Sequence, residues 1–169
     1  MANCCSVDLG INFNTPEDAT AFYNWVKSQQ EIADAEQRGL VLGKSDFAII
    51  DDDVDMPSDH DVLIVGWVKW AVREPEFTEF VRMVVSTYDI ACIKLNYEEF
   101  GCCLYGYYQY FPENGELCVF QVPQQYFDAY KGDPDLEENN PDKYIEDFEQ
   151  YIYNCPEDEY ECEVLAVIK

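Results

Sequence analysis

Carboxylate side chains are the chemistry-bearing residues whose number and spacing stand out in this sequence. The 169 residues include 35 Asp and Glu against 10 Lys and Arg, which gives a formal net charge of −25 at neutral pH. Residues 46–61 form a first acidic block with seven acids and no Lys or Arg, and residues 131–163 form a second acidic block with thirteen acids and two lysines. Together the blocks carry 18 of the 25 net negative charges, so the rest of the chain has a nearly ordinary charge balance.

Carboxylates in a regular row can imitate the phosphates of a nucleic acid. Asp142, Glu146 and Glu149 follow one another at helical spacing, about 5 to 6 Å apart along a helix axis. Like charges at that spacing destabilise a helix by roughly 0.2–0.5 kcal/mol per pair, so a partner could explain why they are kept. Duplex DNA carries one charge per about 1.7 Å of axis, and a basic groove could accept either lattice. The carboxylates predicted to bind a partner are Asp51, Asp52, Asp53, Asp55, Asp59, Asp61, Asp133, Asp135, Glu137, Glu138, Asp142, Glu146, Glu149, Glu157, Asp158 and Glu159.

Solubility and metal binding are alternatives to mimicry as reasons for the acids. A high negative charge keeps a protein soluble, and it also suits a salty cytoplasm. Metal binding is suggested by Asp51-x-Asp53-x-Asp55, which copies the opening of an EF-hand loop. That loop requires Gly at position 6 and Glu at position 12, where this chain has Met56 and Val62, and the stretch that begins at Asp133 departs likewise. We therefore expect weak, non-specific cation binding and no metal site.

Catalytic chemistry has little support in the remaining residues. His60 is the only histidine, and the sequence contains no C-x-x-C pair, no Gly-rich phosphate loop and no G-x-S-x-G motif. Eight cysteines include the adjacent pairs Cys4-Cys5 and Cys102-Cys103. Because neighbouring side chains on a strand point to opposite faces, one thiol of each pair is expected to be buried as a small apolar group. The sequence predicts a non-enzymatic protein with reduced cysteines and no cofactor.

Composition predicts a folded chain that acts in the cytoplasm. Hydrophobic residues make up 48% and aromatic residues 15%, whereas disordered acidic segments are poor in aromatics. No apolar run reaches the roughly 18 residues of a spanning helix, and Met1–Cys5 has neither the basic nor the apolar part of a signal peptide. Ten basic residues in so acidic a chain argue against direct binding of DNA, RNA or anionic membranes.

Hydrophobic periodicity predicts the elements that carry these residues. Alternation from Cys5 to Phe13 predicts a half-buried strand, and Thr15-Pro16-Glu17-Asp18 predicts a helix start. Further strands are predicted at residues 40–42, 47–50, 62–72, 90–97, 102–111, 116–122 and 162–168, and helices from residue 75, at 123–130 and around 144–152. Asp51–Asp61 is predicted to be a loop, and Gly132–Asn140 a polar linker.

The order β-α-β-β-α-β is typical of the ferredoxin-like, or split βαβ, fold. We therefore predict an α+β protein with a ferredoxin-like antiparallel sheet in residues 1–130, including an added hairpin at Asn114-Gly115. Residues 131–169 are predicted to form an acidic helix–strand extension packed on that domain. Four tyrosines, Tyr105, Tyr107, Tyr108 and Tyr110, are expected to divide between the core and an open sheet face, where Tyr107 or Tyr108 would anchor a partner.

Three motifs give the chain a resemblance to a known family. They are Gly66-Trp67-Val68-Lys69-Trp70, then Tyr97-Glu98-Glu99-Phe100-Gly101 with Gly106, and Asn114-Gly115-Glu116. Over about Val62–Val122 the sequence resembles the Api-like family of plasmid- and phage-encoded proteins with a ferredoxin-like domain, whose function is largely unknown. The chain departs from that family's pattern at Val68 and Ala71, where a polar motif ending in Asp is usual. It also has only Pro75 before the second helix, where the family tends to have an aromatic residue and paired prolines. The resemblance implies a ferredoxin-like fold and a mobile-element origin, and it transfers no catalytic residue.

The acidic blocks and this resemblance together predict a function. We expect a phage- or plasmid-encoded mimic of nucleic acid that inhibits a host nucleic-acid-binding defence protein, of the anti-restriction or anti-CRISPR kind. The partner would be a host protein with a basic nucleic-acid-binding groove, met in the host cytoplasm. The alternative is an interaction or assembly protein that docks a partner on its aromatic sheet face, with the acids only solubilising it. The sequence leaves the oligomeric state open, a dimer included.

Overall fold

The structure, a computed structural model, describes residues 4–36, 38–43 and 46–168, without the side chains of Asp51 and Leu136. Its sheet is built from β1 (Cys4–Phe13), β2 (Leu40–Val41), β3 (Ala48–Asp55), β4 (Asp61–Lys69), β5 (Ile90–Glu99), β6 (Leu104–Phe111), β7 (Glu116–Gln121) and β8 (Glu161–Val167). These strands lie in the order β2-β3-β4-β1-β5-β6-β7-β8, and all neighbours are antiparallel.

The described part of the chain also forms α1 (Pro16–Glu36), α2 (Glu74–Thr87), α3 (Gln124–Asp128), α4 (Pro134–Asn139) and α5 (Pro141–Tyr153). α1 begins as predicted, because the Thr15 hydroxyl accepts a hydrogen bond from the backbone N–H of Asp18 at 3.2 Å. The acids Glu17 and Asp18 lie in its first turn, where the helix dipole favours negative charge. α5 begins in a similar way, with the Asn140 side chain accepting from the backbone N–H of Lys143.

The main core lies between one face of the sheet and the helices α1 and α2. Alternate residues of β1 are buried, and they pack with side chains that α1 and α2 direct toward the sheet. The largest completely buried side chains include Phe13, Phe22, Phe77, Phe80, Leu9, Ile11, Ile64, Ile93 and Leu95. Burying each such side chain contributes about 1.5–3 kcal/mol to the stability of the fold, so this layer holds α1 and α2 against one face of the sheet.

The other face of the sheet, called the open face below, carries the residues that alternate with the core positions. Strand register places side chains of six neighbouring strands on it, because successive residues of a strand point to opposite faces. Its members include Asp53, Asp55, Leu63, Val65, Trp67, Ser6, Asp8, Lys94, Asn96, Glu98, Tyr105, Tyr107 and Phe120.

The C-terminal helices pack on one end of the open face. α3 and α5 contribute Phe127 and Ile152 to a second apolar cluster, which also contains Val122 and Cys155. The partly buried Tyr105 of β6 packs against this cluster from the sheet. After α5 the chain returns to the sheet as β8, which pairs with β7 from Glu116 to Gln121. The second acidic block is therefore folded onto the sheet.

The predicted α+β class with an antiparallel sheet is confirmed, and the predicted loop Asp51–Asp61 is wrong. Residues 51–55 belong to β3, and only residues 56–60 turn toward β4. Val54 explains the difference, because it is buried and pairs with Ile64 in the core. The predicted linker Gly132–Asn140 is also partly wrong, since it contains α4.

The two adjacent cysteine pairs behave differently. Cys5 is completely buried and Cys4 is half-buried, as expected for neighbours on a strand. Cys102 and Cys103 do not lie on a strand, because residues 100–102 form a 3₁₀ turn and Cys103 has a left-handed backbone with φ +54°. Neither thiol of this second pair is buried, so the expected burial of one of them is wrong. None of the helices in the described residues is long and apolar enough to span a membrane.

Candidate partner-binding face

Part of the first acidic block lies on the open face. Asp53 and Asp55 are exposed on either side of the buried Val54, and their partners across β4 are Val65 and Leu63. Asp59 is exposed in the turn that follows. The side chain of Asp51 lies outside the described part of the structure.

Two other acids of the first block already accept hydrogen bonds from side chains of the protein. Gln30 of α1 donates a hydrogen bond to Asp52 Oδ2 at 2.7 Å, and burial raises the pKa of Asp52. Asn12 donates to Asp61 Oδ1 at 2.6 Å, and this bond with a second one from Ser58 lowers the pKa of Asp61. Both carboxylates already accept side-chain hydrogen bonds within the protein, so they are poorer candidates for partner contact than Asp53, Asp55 and Asp59.

The second acidic block presents its predicted carboxylates to solvent on three consecutive pieces of structure. Exposed acids are Asp133, Asp135, Glu137 and Glu138 around α4, Asp142 and Glu146 on α5, and Glu157, Asp158 and Glu159 in a 3₁₀ turn before β8. Glu149 of α5 is half-buried. Within the described residues, Lys143 and Asp147 form the ion pair of this block, with Nζ and Oδ1 at 2.8 Å. None of the predicted partner-binding side chains that are described takes part in an ion pair.

α5 turns Glu149 and part of its apolar stripe toward the open face. Ile152 is fully buried, but Ile145 on the predicted apolar stripe is 51% exposed. Between α5 and the sheet lies a groove of about 490 Å³, called the α5 groove below. Among its lining residues are Trp67, Glu98 and Glu99 from the sheet and Ile145, Glu149 and Tyr153 from α5.

A second, more polar cavity of about 340 Å³ lies beside the α5 groove over the centre of the open face. Asp8, Asn96 and Lys94 line it from the sheet, and Glu157 and Tyr160 line it from the C-terminal region. The Lys94 ammonium stands over the Tyr107 ring, 4.0 Å from the ring centroid, which is a cation–π arrangement. This is a basic group on the open face, and an aromatic ring already holds it.

The four tyrosines of β6 divide between the two faces of the sheet. Tyr108 and Tyr110 are each 5% exposed, and Tyr108 packs in the core against Phe77 with ring centroids 5.3 Å apart. Tyr107 lies on the open face, stacked on Phe120 and covered by Lys94. The hypothesis that Tyr108 anchors a partner is therefore wrong, because the core already occupies its ring. The exposed ring of the open face is Trp67 instead, at 43% exposure.

Metal binding and thiol chemistry gain no geometric basis from the described residues. In that part of the chain, no group of three or more His, Cys, Asp or Glu side chains is arranged to hold a metal ion. Burial raises the pKa of the Cys5 thiol to about 12, and it also raises the pKa of Cys118 and of Cys155. A raised pKa lowers the fraction of the reactive thiolate, and all three side chains are buried, so both observations favour a packing role.

Asp8, Glu98 and Trp67 also belong to the candidate face, and no sequence motif singles them out as binding residues. Asp8 stood in the polar half of the predicted first strand, so the alternation alone could have placed it there. Glu98 lies in the Tyr97–Gly101 motif, which gives no sign of the face to which its side chain belongs. Trp67 lies in the nearly continuous apolar run of residues 62–72, which predicts a buried strand. Pairing with β1 reveals both, because Ser6 faces Trp67 on one side and Glu98 on the other.

Comparison of the chain with protein-family models, with curated proteins and with solved structures finds no match. The resemblance to the Api-like family therefore stays a prediction from the sequence. The open face, the α5 groove and the acids around them stand on the geometry of this chain alone.

Proposed function

We propose that the protein is a non-enzymatic, acidic mimic of nucleic acid that binds a partner with a basic nucleic-acid-binding groove. One observation carries the proposal. The two acidic blocks are about 70 residues apart in the sequence, yet Asp53 and Asp55 of the first block lie on the sheet face on which α5 of the second block rests. Acids brought to one face offer a basic groove a continuous field, and such fields steer association.

The proposed partner is a host defence protein of the kind that anti-restriction or anti-CRISPR proteins inhibit. The proposed origin of the chain is a phage or plasmid. The origin rests on the family resemblance of residues 62–122, and the partner rests on that origin together with the acidic blocks. The strand order β3-β4-β1-β5, with α1 and α2 on one face, supports the ferredoxin-like fold that this resemblance implies. We assign residues 1–130 to that domain with its added hairpin, and residues 131–169 to an extension joined to it through β8.

The test is competition between the protein and duplex DNA for a purified host restriction or CRISPR effector complex. We expect the protein to displace the DNA, and the variant Asp142→Asn, Glu146→Gln, Glu149→Gln to bind about tenfold or more weakly. The reason is that each lost charge pair in a groove weakens binding, often by about 1 kcal/mol or more.

A matched control separates the acidic face from net charge. Glu17, Glu31 and Asp34 are exposed on α1, on the other side of the sheet, so changing them to Gln, Gln and Asn removes the same charge elsewhere. If both triple variants lose affinity equally, the acids act only through net charge and the mimic has no defined face. If neither variant changes affinity, or DNA and the protein bind together, the proposed function is wrong.

A further inference from the structure

The α5 groove combines exposed apolar side chains with acids in a way that the acidic blocks alone do not. Trp67 is 43% exposed, Ile145 is 51% exposed and Tyr153 is 42% exposed, although each is large and apolar. These three side chains line one groove, so together they form an apolar patch rather than scattered surface residues. Binding through charge alone would not require such an exposed apolar patch at the bottom of the groove.

Carboxylates surround this apolar floor, and among the residues that the structure describes no Lys or Arg lines the groove. Glu98 and Glu99 come from the sheet side and Glu149 from α5. The Tyr153 hydroxyl donates a hydrogen bond to Glu98 Oε2 at 3.0 Å, which fixes that carboxylate at the edge of the groove. Glu98 Oε1 and the acids across the groove are left to accept from a cationic group.

We propose that the α5 groove receives an amphipathic basic segment of the partner, with an arginine stacked on Trp67 and an apolar side chain beside Ile145. This inference rests on the proposed function and names where on the acidic face the partner is anchored. Charge complementarity selects the occupant, since carboxylates line the groove on both sides. Arginine fits the combination, because its planar guanidinium both stacks on an indole and pairs with carboxylates.

The size of the groove agrees with such an anchor. Its volume of about 490 Å³ lies within the roughly 300–1,000 Å³ of cavities that hold bound groups. Tryptophan, tyrosine and arginine are also the residues that most often dominate binding energy at interfaces. Trp67 and Tyr153 would thus act as anchors, while the acids of α4 and the 157–159 turn would act at longer range.

Two synthetic peptides test the proposal on the full chain. Both carry the same number of arginines, one with leucines between them and the other with serines at the same positions. We expect the Arg/Leu peptide to bind more tightly, and Trp67→Ala to weaken it about tenfold in calorimetric titration. Ile145→Ser, at an exposed position, is the second variant in case the loss of Trp67 disturbs the sheet.

Trp70→Ala is the matched control, because Trp70 is also exposed but lines a different cavity with Phe47 and Arg73. It should change the affinity of either peptide less than twofold. If Arg/Leu and Arg/Ser peptides bind equally, and neither Trp67→Ala nor Ile145→Ser has an effect while the α5 charge variant weakens both, the groove is not the anchor and the mimic stands. If none of these variants changes binding of either peptide, both the groove and the acidic face are wrong.

Discussion

At the scale of single residues, neighbouring side chains of the same chemical type meet different environments. Asp52 is held by Gln30 at the side of α1, while Asp53 next to it is exposed on the open face. Tyr107 and Tyr108 are separated in the same way by the sheet. The amino-acid composition does not distinguish these residues, whereas the strand register determines which side chains are accessible to a partner.

Gly106 shows how tightly register is held. An added Cβ at Gly106 would clash with the carbonyl oxygen of Phe120, in the backbone of β7. Gly106→Ala should therefore lower the free energy of unfolding by about 1–3 kcal/mol, the usual cost of overpacking. The measurement is urea denaturation. Gly10→Ala is the control, because its nearest contact would be 3.9 Å away, and it should stay within about 0.5 kcal/mol of the parent. Equal stability of the two variants would contradict the pairing of β6 with β7.

The cysteines should react with thiol reagents in the order of their exposure. Cys102 and Cys162 are exposed and should be labelled first, whereas Cys5, Cys118 and Cys155 are buried and should react only on unfolding. Burial raises the pKa of the buried thiols, which lowers their thiolate fraction as well as their access. Mass spectrometry after timed labelling gives the order. Fewer than eight reactive thiols after denaturation without reductant, or stoichiometric zinc, would contradict the packing role.

At the scale of elements, the sequence predicted what local periodicity controls and missed what pairing controls. The start of α1 at Thr15, the hairpin at Gly115 and the last strand follow from capping, turn and alternation patterns. The strand through Asp51–Asp55 could not be predicted in this way, because Asp is depleted in strands and the strand depends on pairing with β4 and on the burial of Val54 beside Ile64. The α5 groove could not be predicted, since it forms between an element of residues 141–153 and strands far away in the chain.

Neutralising the acidic stripe of α5, formed by Asp142, Glu146 and Glu149, should change the stability of the folded protein little or not at all. Asp142 lies in the first turn, where the helix dipole favours it, while Glu146 repels both Asp142 and Glu149. These effects oppose each other, so neutralising all three acids should leave the thermal stability equal or raised by tenths of a kcal/mol. Thermal denaturation followed by circular dichroism measures this. A loss above about 1 kcal/mol would mean that these acids hold α5 on the sheet and are not kept for a partner.

At the scale of the whole molecule, a net charge of −25 makes every encounter sensitive to ionic strength. If carboxylates replace phosphates, the affinity for the partner should fall steeply between about 50 and 200 mM salt, because exposed charges are screened over roughly 10 Å. Titration at a series of salt concentrations gives the slope. An affinity that stays flat over this range would favour a partner bound by apolar contact alone, which is the alternative of an interaction protein solubilised by its acids.

The outer edge of β3 gives the acids of that strand a second consequence, which concerns contact between copies of the chain. β2 pairs with Ala48 and Ile49 only, so within the described residues the stretch from Ile50 to Asp55 has a neighbouring strand on one side. Bare strand edges are templates for aggregation, and rows of like charge keep two such edges apart. The acids that help to attract a basic partner would thus also keep the strand edges of two copies of the chain from pairing.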